Sequence, residues 1–598
     1  MLEFGIPALI EIPDDAGLAD VVFSRASADP DEVMLRRRTA DSGWQDITAA
    51  AFRDQVSALA KGLIAAGIEP GDRVALMSRT RYEWTLADYA IWAAGAVSVP
   101  VYETSSAEQV QWILGDSGAH AAFAETDSNA QTIASVRDRL PDLGPLWRID
   151  ALESLIAAGA EVTDDQLRRH RISRRAGDLA TIIYTSGTTG RPKGCELTHR
   201  NLLAAARNAV HAALPEIFEM PDASTMLFMP LAHVFARIIE IGCMEASAVL
   251  GHWPSVATLP EGLREFRPTF LLAVPRVFEK VFNTAQQQAS ASPVKARIFA
   301  ASVATAVAYS QALGSGRPGP VLQLQHALFD RLVYAKLRAA VGGQVRFAVS
   351  GGAPLGERLG HFFRGVGITI LEGYGLTETS AAAAVNKPSR NKIGTVGQPL
   401  PGTSARIAED SEVLLRGSII TIGYWRNESA TKEAIDADGW LHTGDLGSLD
   451  DEGFLRVTGR KKELIVTAGG KNVSPAVLED RLRAHPLVSQ CMVVGDGRPF
   501  VACLVTLDEE AIGPWQARHP SLAGASLAEL AEAPELIAEI QSAVDQANKA
   551  VSRAESIRRF RVLPVDFTEQ SGYLTPSLKV RRGVVAKDFA ADIDALYG

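Results

Sequence analysis

The segment Tyr184-Thr-Ser-Gly-Thr-Thr-Gly-Arg-Pro-Lys-Gly194 is the most informative part of this chain. It follows the β-branched run Thr181-Ile-Ile-Tyr184, which is typical of a buried strand. Glycines after a strand permit positive φ angles and leave backbone N–H groups open to anions, while Ser, Thr and Lys side chains add donors and positive charge. The segment therefore predicts a phosphate-binding loop, and Thr198 is expected to cap a helix that starts near His199.

This loop differs from the P-loop of nucleotide hydrolases, because Lys193 lies between Pro192 and Gly194 rather than before a Ser or Thr. The alternative is a surface turn rich in Gly, Ser and Thr. Such a turn would explain any three of these residues but explains poorly all eleven in this order. We therefore favour phosphate binding.

Outward from the loop, helical periodicity alternates with short apolar runs. A helix over Phe52 to Gly67 precedes the strand Gly71 to Met77, and further strands are predicted at Ala94 to Val101 and Gln344 to Ser350. This order predicts an α/β protein with a mostly parallel, helix-covered sheet. Ligands collect at the carboxyl ends of strands in such sheets, so the loops that follow strands are the candidate sites.

The pattern changes near residue 438. Turn signals at Asp438-Gly439 and Asp450 to Gly453 flank short strands and predict β-hairpins. After Gly459 a charged connector leads into a second α/β segment, so we place a domain boundary at that connector. This segment is predicted to contain strands near Cys491 to Val494 and Val501 to Leu507, and a helix near Pro534 to Ala554 that starts at the proline.

Composition excludes several classes of protein. The 598 residues exceed the size of a single hydrophobic core, so several domains are expected. The formal charge of −10 argues against nucleic acid as a partner. Four widely spaced cysteines without metal-ligand spacing favour a cytoplasmic protein. The N-terminus lacks the features of a signal peptide, and the most apolar stretch, Tyr89 to Tyr102, is too short to cross a bilayer. Any membrane contact is expected to be peripheral.

Four other segments carry groups suited to a nucleotide. Ser350-Gly-Gly-Ala-Pro-Leu355 follows a predicted strand, where a flat base could approach the backbone. Glu372 to Thr379 supplies an aromatic ring and a carboxylate suited to Mg²⁺. A carboxylate at Asp445 could accept hydrogen bonds from ribose hydroxyls. Lys579 adds a cation near the C-terminus, although most Lys/Arg runs are solvated faces.

Together these segments closely resemble the adenylate-forming superfamily of acyl-CoA synthetases, luciferases and peptide-synthetase adenylation domains, from about residue 50 to the end. The resemblance implies a large N-terminal domain, residues 1–459, of helix-covered mostly parallel sheets with a small β-subdomain. It also implies a hinge at residues 460–462, centred on Lys462, and a small mobile C-terminal α+β domain, residues 463–598. ATP, Mg²⁺ and coenzyme A are the expected cofactors and co-substrates.

The resemblance also assigns roles to individual residues. Lys579, Glu378, Lys193 and His233 are expected to be catalytic, with Thr185 and Glu378 holding the metal and His233 near the acyl carboxylate. On its own, His233 would be taken as a core residue. The expected ATP-binding set is Thr185, Ser186, Gly187, Thr188, Thr189, Gly190, Lys193, Gly351, Gly352, Ala353, Tyr374, Gly375, Thr377, Asp445, Arg460 and Lys579.

Arg267 to Lys280 resembles the long-chain acyl-CoA synthetase branch, in which Phe278 falls where an aromatic residue can gate an acyl tunnel. The expected function is therefore an ATP-dependent long-chain fatty acid CoA ligase that acts through an acyl-AMP. Val466 departs from relatives with a second lysine at this point, which leaves a fatty acyl-AMP ligase that loads a carrier protein as an alternative. A non-catalytic nucleotide-binding scaffold is a more distant one.

Overall fold

The computed structural model describes residues 1–39, 41, 43–185, 191–256, 258–290, 292–575 and 578–598. The strand before the phosphate loop lies inside a seven-stranded sheet. It runs parallel to one neighbour and antiparallel to the other. Four of the six strand pairings in this sheet are parallel, which confirms the predicted mostly parallel sheet. In spatial order the strands are Gly423–Tyr424, Lys193–Thr198, Leu179–Thr185, Val97–Val101, Arg73–Met77, Ala119–Ala124 and Leu146–Arg148.

Two further sheets complete the α/β part, and each has a parallel centre. The first supplies the strands that carry the glycine segments, in the order Phe270–Ala273, Phe347–Ser350, Thr369–Tyr374, Ala384–Val385 and Gln398–Pro399, of which the last two are antiparallel. The second has the order Ser224–Leu227, Val249–His252, Val33–Arg38 and Trp44–Thr48, with only the last strand antiparallel.

Helices cover these sheets. The helix Tyr82–Ala93 is buried at every position, and its two acidic residues, Glu83 and Asp88, form ion pairs with Arg81 and Arg237. The others are Asp20–Ala28, Ala49–Ala65, Ala107–Ser117, Asp127–Ala134, Glu153–Ala158, Asp164–Ile172, His199–Arg207, Pro215–Phe218, Val234–Glu245, Leu259–Phe266, Pro275–Ser290, Pro293–Ser315, Pro320–Phe329, Ala335–Ala340, Glu357–Val366 and Glu428–Ala434, with π-helical segments at Asn208–Ala213 and Asp330–Tyr334.

A five-stranded antiparallel sheet forms the predicted β-subdomain. Its order is Glu3–Ile6, Thr403–Ile407, Glu412–Gly417, Leu441–Leu449 and Leu455–Arg460. The turn at Asp450 to Gly453 joins the last two strands, which confirms that hairpin. The turn at Asp438-Gly439 instead follows a helix and closes only the isolated bridge Ile435↔Leu441, so the first predicted hairpin was wrong.

The C-terminal part is a small α+β unit. Strands Val488–Val494, Val501–Leu507 and Ile557–Val562 form one sheet, and Ile465–Val466 pairs with Asn472–Val473. Its helices are Pro475–Arg483, Glu509–Gln516, Leu527–Ala531, Pro534–Asn548, Arg582–Asp588 and Ala590–Ala595. The predicted long helix starts at Pro534 but ends early, because the Asn548 side chain bonds both backbone groups of Ile557.

The buried cores divide at the charged connector. In the described ranges, each cluster of buried apolar side chains ends at or before Leu455 or begins at or after Ile465. The described helices include none that is both long and apolar enough to cross a membrane.

Candidate active site

The phosphate loop connects the two strands of an antiparallel hairpin. Thr185 and Lys193 are paired across it. Ser186, Gly187, Thr188, Thr189 and Gly190 lie outside the described residues, so their contacts with phosphate stay predictions. Beyond the second strand, Thr198 accepts a hydrogen bond at 3.1 Å from the Asn201 N–H and caps the helix His199–Arg207, as predicted.

Tyr424 contacts both Lys193 and Glu378. The Lys193 ammonium lies 5.1 Å from the centre of the Tyr424 ring, and the Tyr424 hydroxyl donates a hydrogen bond to Glu378 Oε1 at 2.7 Å. Burial and the Glu378 carboxylate raise the pKa of Tyr424, so its hydroxyl keeps its proton. The predicted cation and carboxylate therefore belong to one site.

Asp445 is held between Tyr374 and Arg460. The Tyr374 hydroxyl donates to Asp445 Oδ2 at 2.6 Å, and Arg460 Nε lies 2.9 Å from Asp445 Oδ1. The pairing of strands Leu441–Leu449 and Leu455–Arg460 sets Asp445 opposite Arg460. Burial and the neighbouring Asp445 raise the pKa of Tyr374 well above its usual value. A nearly buried carboxylate is thus fixed in orientation by two donors.

The predicted base-binding segments follow adjacent parallel strands. Gly351, Gly352 and Ala353 follow Phe347–Ser350, and Gly375 and Thr377 follow Thr369–Tyr374, which pairs with it. A side chain at Gly375 would place its Cβ 1.4 Å from the Ala381 carbonyl oxygen. Only glycine fits there, because the chain turns back on itself after this strand.

Lys579 reaches this group from the C-terminal unit. Its N–H donates to Thr575 Oγ1 at 3.1 Å, and the neighbouring residue Val580 forms an isolated bridge with Leu574. Desolvation in the cleft and then the Arg460 guanidinium lower the pKa of Lys579. The cation therefore stands among the groups expected to bind ATP.

His233 caps the helix Val234–Glu245, with Nδ1 accepting a hydrogen bond at 3.1 Å from the Phe235 N–H. Burial, followed by the positive charge of Lys579, lowers the pKa of His233 to about 4. The ring is therefore neutral at neutral pH, and its proton is on Nε2 because Nδ1 is an acceptor.

A single cavity of about 2590 Å³ joins these groups. Its polar lining comes from both sides of the connector and includes Thr185, Gly351, Tyr374, Glu378, Asp445, Arg460, Lys462 and Lys579. Its lining also contains a set of apolar residues of the N-terminal part, which we call the acyl branch: Ala209, Val210, Leu214, Phe218, Ile238 and Val307.

Phe278 is not brought to this cavity. Its neighbours Val277 and Glu279 line the wall, whereas Phe278 is 3% exposed and packs edge-on against Phe363, with 5.7 Å between ring centres. The helix Pro275–Ser290 turns this side chain into the core. In this structure Phe278 therefore packs in the core beside the cavity wall, and its role as a gate stays a prediction.

Sequence reasoning missed two residues of the site. Tyr424 lies in Gly423-Tyr-Trp-Arg-Asn427, and this aromatic run beside a glycine is the sequence feature that could have indicated it. Glu372, beneath the glycine segment, accepts a hydrogen bond at 3.0 Å from the Leu355 N–H, and burial raises its pKa. No local sequence pattern predicts that hydrogen bond, because it joins the segment after the strand Phe347–Ser350 to the strand Thr369–Tyr374.

The described residues include no cluster of three or more His, Cys, Asp or Glu side chains able to hold a metal ion. Thr185 and Glu378 offer one hydroxyl and one carboxylate. This donor set fits Mg²⁺, which is usually held by one or two carboxylates together with substrate phosphates and water.

Thr185 and Pro192, which flank the predicted phosphate loop, line one cavity of this α/β fold together with the tyrosine-bound carboxylate of Glu378 and with Lys579 from the C-terminal unit. The model of the AMP-binding enzyme family matches residues 22–425, and that of the AMP-binding enzyme C-terminal domain matches residues 462–598. The chain belongs to the AMP-binding enzyme family.

Among its relatives is the long-chain-fatty-acid–CoA ligase FadD15 of Mycobacterium tuberculosis, which is 53% identical over 100% of both chains. The long-chain-fatty-acid–CoA ligase ACSBG2 of Gallus gallus is 32% identical over 93% of this chain and 78% of its own length. Solved structures support the fold. The anthranilate CoA ligase AuaEII with anthranoyl-AMP has a TM-score of 0.72 at 19% identity, with 97% of this chain and 99% of the other covered. The A domain of the carboxylic acid reductase of Segniliparus rugosus has a TM-score of 0.74 at 20% identity, with 97% and 94% covered.

Proposed function

We propose that this protein is a long-chain fatty acid CoA ligase that converts a fatty acid, ATP and coenzyme A to acyl-CoA, AMP and pyrophosphate through an acyl-AMP. The observation that carries the proposal is the mixed lining of the cavity. The apolar acyl branch shares one cavity with the polar groups expected to bind ATP, and His233 and Lys579 both line it, close enough for the charge of Lys579 to act on His233. A long apolar tail with a carboxylate head suits this shape, because burial of each methylene is favourable while the charged head remains among polar groups.

In the first step the fatty carboxylate attacks the α-phosphorus of ATP and pyrophosphate leaves. Lys579 and Lys193 oppose the negative charge that develops, which is the main task of a protein in phosphoryl chemistry. Neutral His233 can donate from Nε2 to a carboxylate oxygen and orient it. The Tyr374–Asp445–Arg460 group holds the ribose, with Asp445 accepting from its hydroxyls.

Thr185 and Glu378 would hold Mg²⁺ beside the phosphates. When bound, the ion supplies neutralising charge to the phosphate oxygens. Apart from this ion, the groups described in the two steps are side chains of this protein and the substrates themselves.

In the second step the thiol of CoA loses its proton and attacks the acyl carbonyl, and AMP leaves. We propose that residues 463–598 form a mobile domain that turns about Lys462 between the steps and withdraws Lys579. The contacts of this domain with the helix Pro275–Ser290 suit such motion. Lys280–Glu510, at 2.9 Å, is exposed on both sides, and exposed ion pairs contribute little to stability.

Four buried cysteines, Cys195, Cys243, Cys491 and Cys503, are all free thiols, which supports a reducing, cytoplasmic location.

Release of AMP from palmitate, ATP and CoA by the purified protein tests the proposal. We expect turnover that requires all three substrates and that is lost in Lys579→Ala. Lys587→Ala, which removes an exposed cation of the same unit outside the cavity lining, is the matched control and should retain activity.

Two outcomes would reject CoA ligation. One is no fatty-acid-dependent AMP release. The other is pyrophosphate release without any acyl-CoA, with the acyl group transferred to a carrier protein instead.

A further inference from the structure

One helix of the N-terminal part presents large apolar side chains to solvent. Val321, Leu324 and Leu328 in Pro320–Phe329, and Leu332 in the following π-helical segment, are 70%, 74%, 56% and 47% exposed. Their spacings of three, four and four residues place them along one face. We call these four residues the apolar stripe.

The opposite face of this helix is fixed to the protein. His326 stacks on Tyr309 with 3.8 Å between ring centres, and its Nε2 lies 2.6 Å from the Gly365 carbonyl oxygen. Farther along, the Tyr334 hydroxyl donates to the Ser302 carbonyl oxygen at 2.7 Å. The helix is therefore held with the apolar stripe outward.

Exposed apolar residues concentrate in this region. Of the 18 large hydrophobic residues that are exposed in the described ranges, seven fall between Val294 and Leu332. Single exposed apolar residues need no explanation, but a contiguous group marks an interaction surface.

The segment of chain that carries the apolar stripe has a net charge opposite to that of the whole chain. Residues 292–341 contain six Lys or Arg and one Asp, in a protein of net charge −10. Asp330 is paired with Arg338 at 2.7 Å. The other five cations are exposed, and in the part of the chain that the structure describes none forms an ion pair. They are Lys295, Arg297, Arg317, Arg331 and Lys336.

We propose that the apolar stripe and these cations dock the protein on an anionic lipid surface. An apolar helical face bordered by Lys and Arg inserts at the boundary of headgroups and acyl chains, and anionic lipid attracts the flanking cations.

This surface adjoins the cavity. The helix Pro293–Ser315 packs against the helix of the apolar stripe and contributes Val307 and Gln311 to the cavity lining. Docking would bring the acyl branch close to the lipid phase in which long-chain fatty acids partition. That last consequence rests on the proposed function, whereas docking itself rests on the surface alone.

Flotation of the full-length protein with vesicles tests the inference. We expect the wild type to float with vesicles of phosphatidylcholine and phosphatidylglycerol, more weakly with phosphatidylcholine alone, and less as salt is raised. In the variant Leu324→Glu/Leu328→Glu, the bound fraction should fall about tenfold or more, since two inserted side chains become charged. Ile172→Glu/Ile537→Glu is the matched control, because these residues are 56% and 37% exposed elsewhere, and it should float like the wild type.

Both variants should activate octanoate in solution at the wild-type rate, which shows an intact fold. Equal flotation of the stripe variant and the wild type would overturn the inference, as would a wild type that fails to float with anionic vesicles. A wild-type dimer that the stripe variant converts to a monomer, without vesicle binding, would instead assign the stripe to a subunit interface. Flotation needs no turnover, so its failure is distinct from failure of the ligase activity.

Discussion

The guanidinium of Arg237 and the carboxylate of Asp88 meet at 2.5 Å, and both side chains are completely excluded from solvent. The same guanidinium donates to Thr181 Oγ1 at 2.6 Å and to Ser98 Oγ at 2.9 Å. Arg237 lies in the helix that His233 caps, and Thr181 lies in the strand before the phosphate loop. The Arg237 guanidinium therefore joins the helix that His233 caps both to the helix Tyr82–Ala93, through Asp88, and to the strand before the phosphate loop, through Thr181.

We expect Arg237→Met to destabilise the protein by about 3–5 kcal/mol, because Asp88 would be left buried without its partner. The double variant Asp88→Leu/Arg237→Met should recover most of that loss. Urea unfolding measures both. Lys432→Met breaks the exposed pair with Glu428 and should cost less than about 1 kcal/mol. An Arg237→Met loss as small as that of Lys432→Met would contradict the role of the buried pair.

Glu240, one turn beyond Arg237, gives the protein a specific pH dependence. Burial and then the Asp88 charge raise the pKa of Glu240 from 4.5 to about 8. Between pH 4.5 and about pH 8, Glu240 keeps its proton in the folded protein but has lost it in the unfolded chain. The free energy of unfolding therefore falls as pH rises. This decline, at most about 1.4 kcal/mol per pH unit, should be absent in Glu240→Gln. Urea unfolding across this pH range compares the two slopes, and equal slopes would rule out the assignment.

Much of the fold was predictable because its signals are local. The β-branched residues before Tyr184 and the cap at Thr198 depend only on neighbours a few residues away, and both predictions were confirmed. The turn at Asp450 to Gly453 was equally clear. The strand Lys193–Thr198 was missed because its pairing, rather than its composition, makes it a strand.

The site was less predictable, because its contacts join distant segments. Tyr424 bonds to Glu378 across 46 positions, and no period or motif in either segment specifies that pair. The position of Phe278 was not predictable for a similar reason. The sequence shows only that an aromatic residue follows Val277. The side chain of Phe278 faces the core because it packs against Phe363, a contact between distant segments.

Tyr374→Phe should weaken ATP binding. The hydroxyl of Tyr374 donates to Asp445 at 2.6 Å, and a hydrogen bond to a charged group is worth about 1.5–3 kcal/mol. We expect the KM for ATP to rise about tenfold, with a smaller change in kcat. Steady-state kinetics at saturating fatty acid and CoA give both constants. Tyr309→Phe, outside the cavity lining, is the control, and an equal effect of the two substitutions would refute the prediction.

Gly375→Ala should abolish folding or activity. The added Cβ would meet the Ala381 carbonyl oxygen at 1.4 Å, which no side-chain rotation relieves because the opposing atom is backbone. Gly513→Ala is the matched control, since a Cβ there has nothing within 4 Å. Thermal unfolding and AMP release should be nearly normal for the control and lost for Gly375→Ala. A Gly375→Ala protein with wild-type stability would show that the turn after this strand can open.

Ala209→Phe should shorten the acyl chain that the enzyme accepts. Ala209 lines the acyl branch from the π-helical segment Asn208–Ala213, so a phenyl ring there would occupy space among the apolar residues of that branch. We expect kcat/KM for palmitate to fall about tenfold or more, because a long tail loses its place in the branch. The value for octanoate should change little. Ala212→Phe places the same ring on the same segment but outside the cavity lining, and should keep the wild-type ratio of palmitate to octanoate. If Ala209→Phe also keeps that ratio, the fatty tail does not lie in this branch.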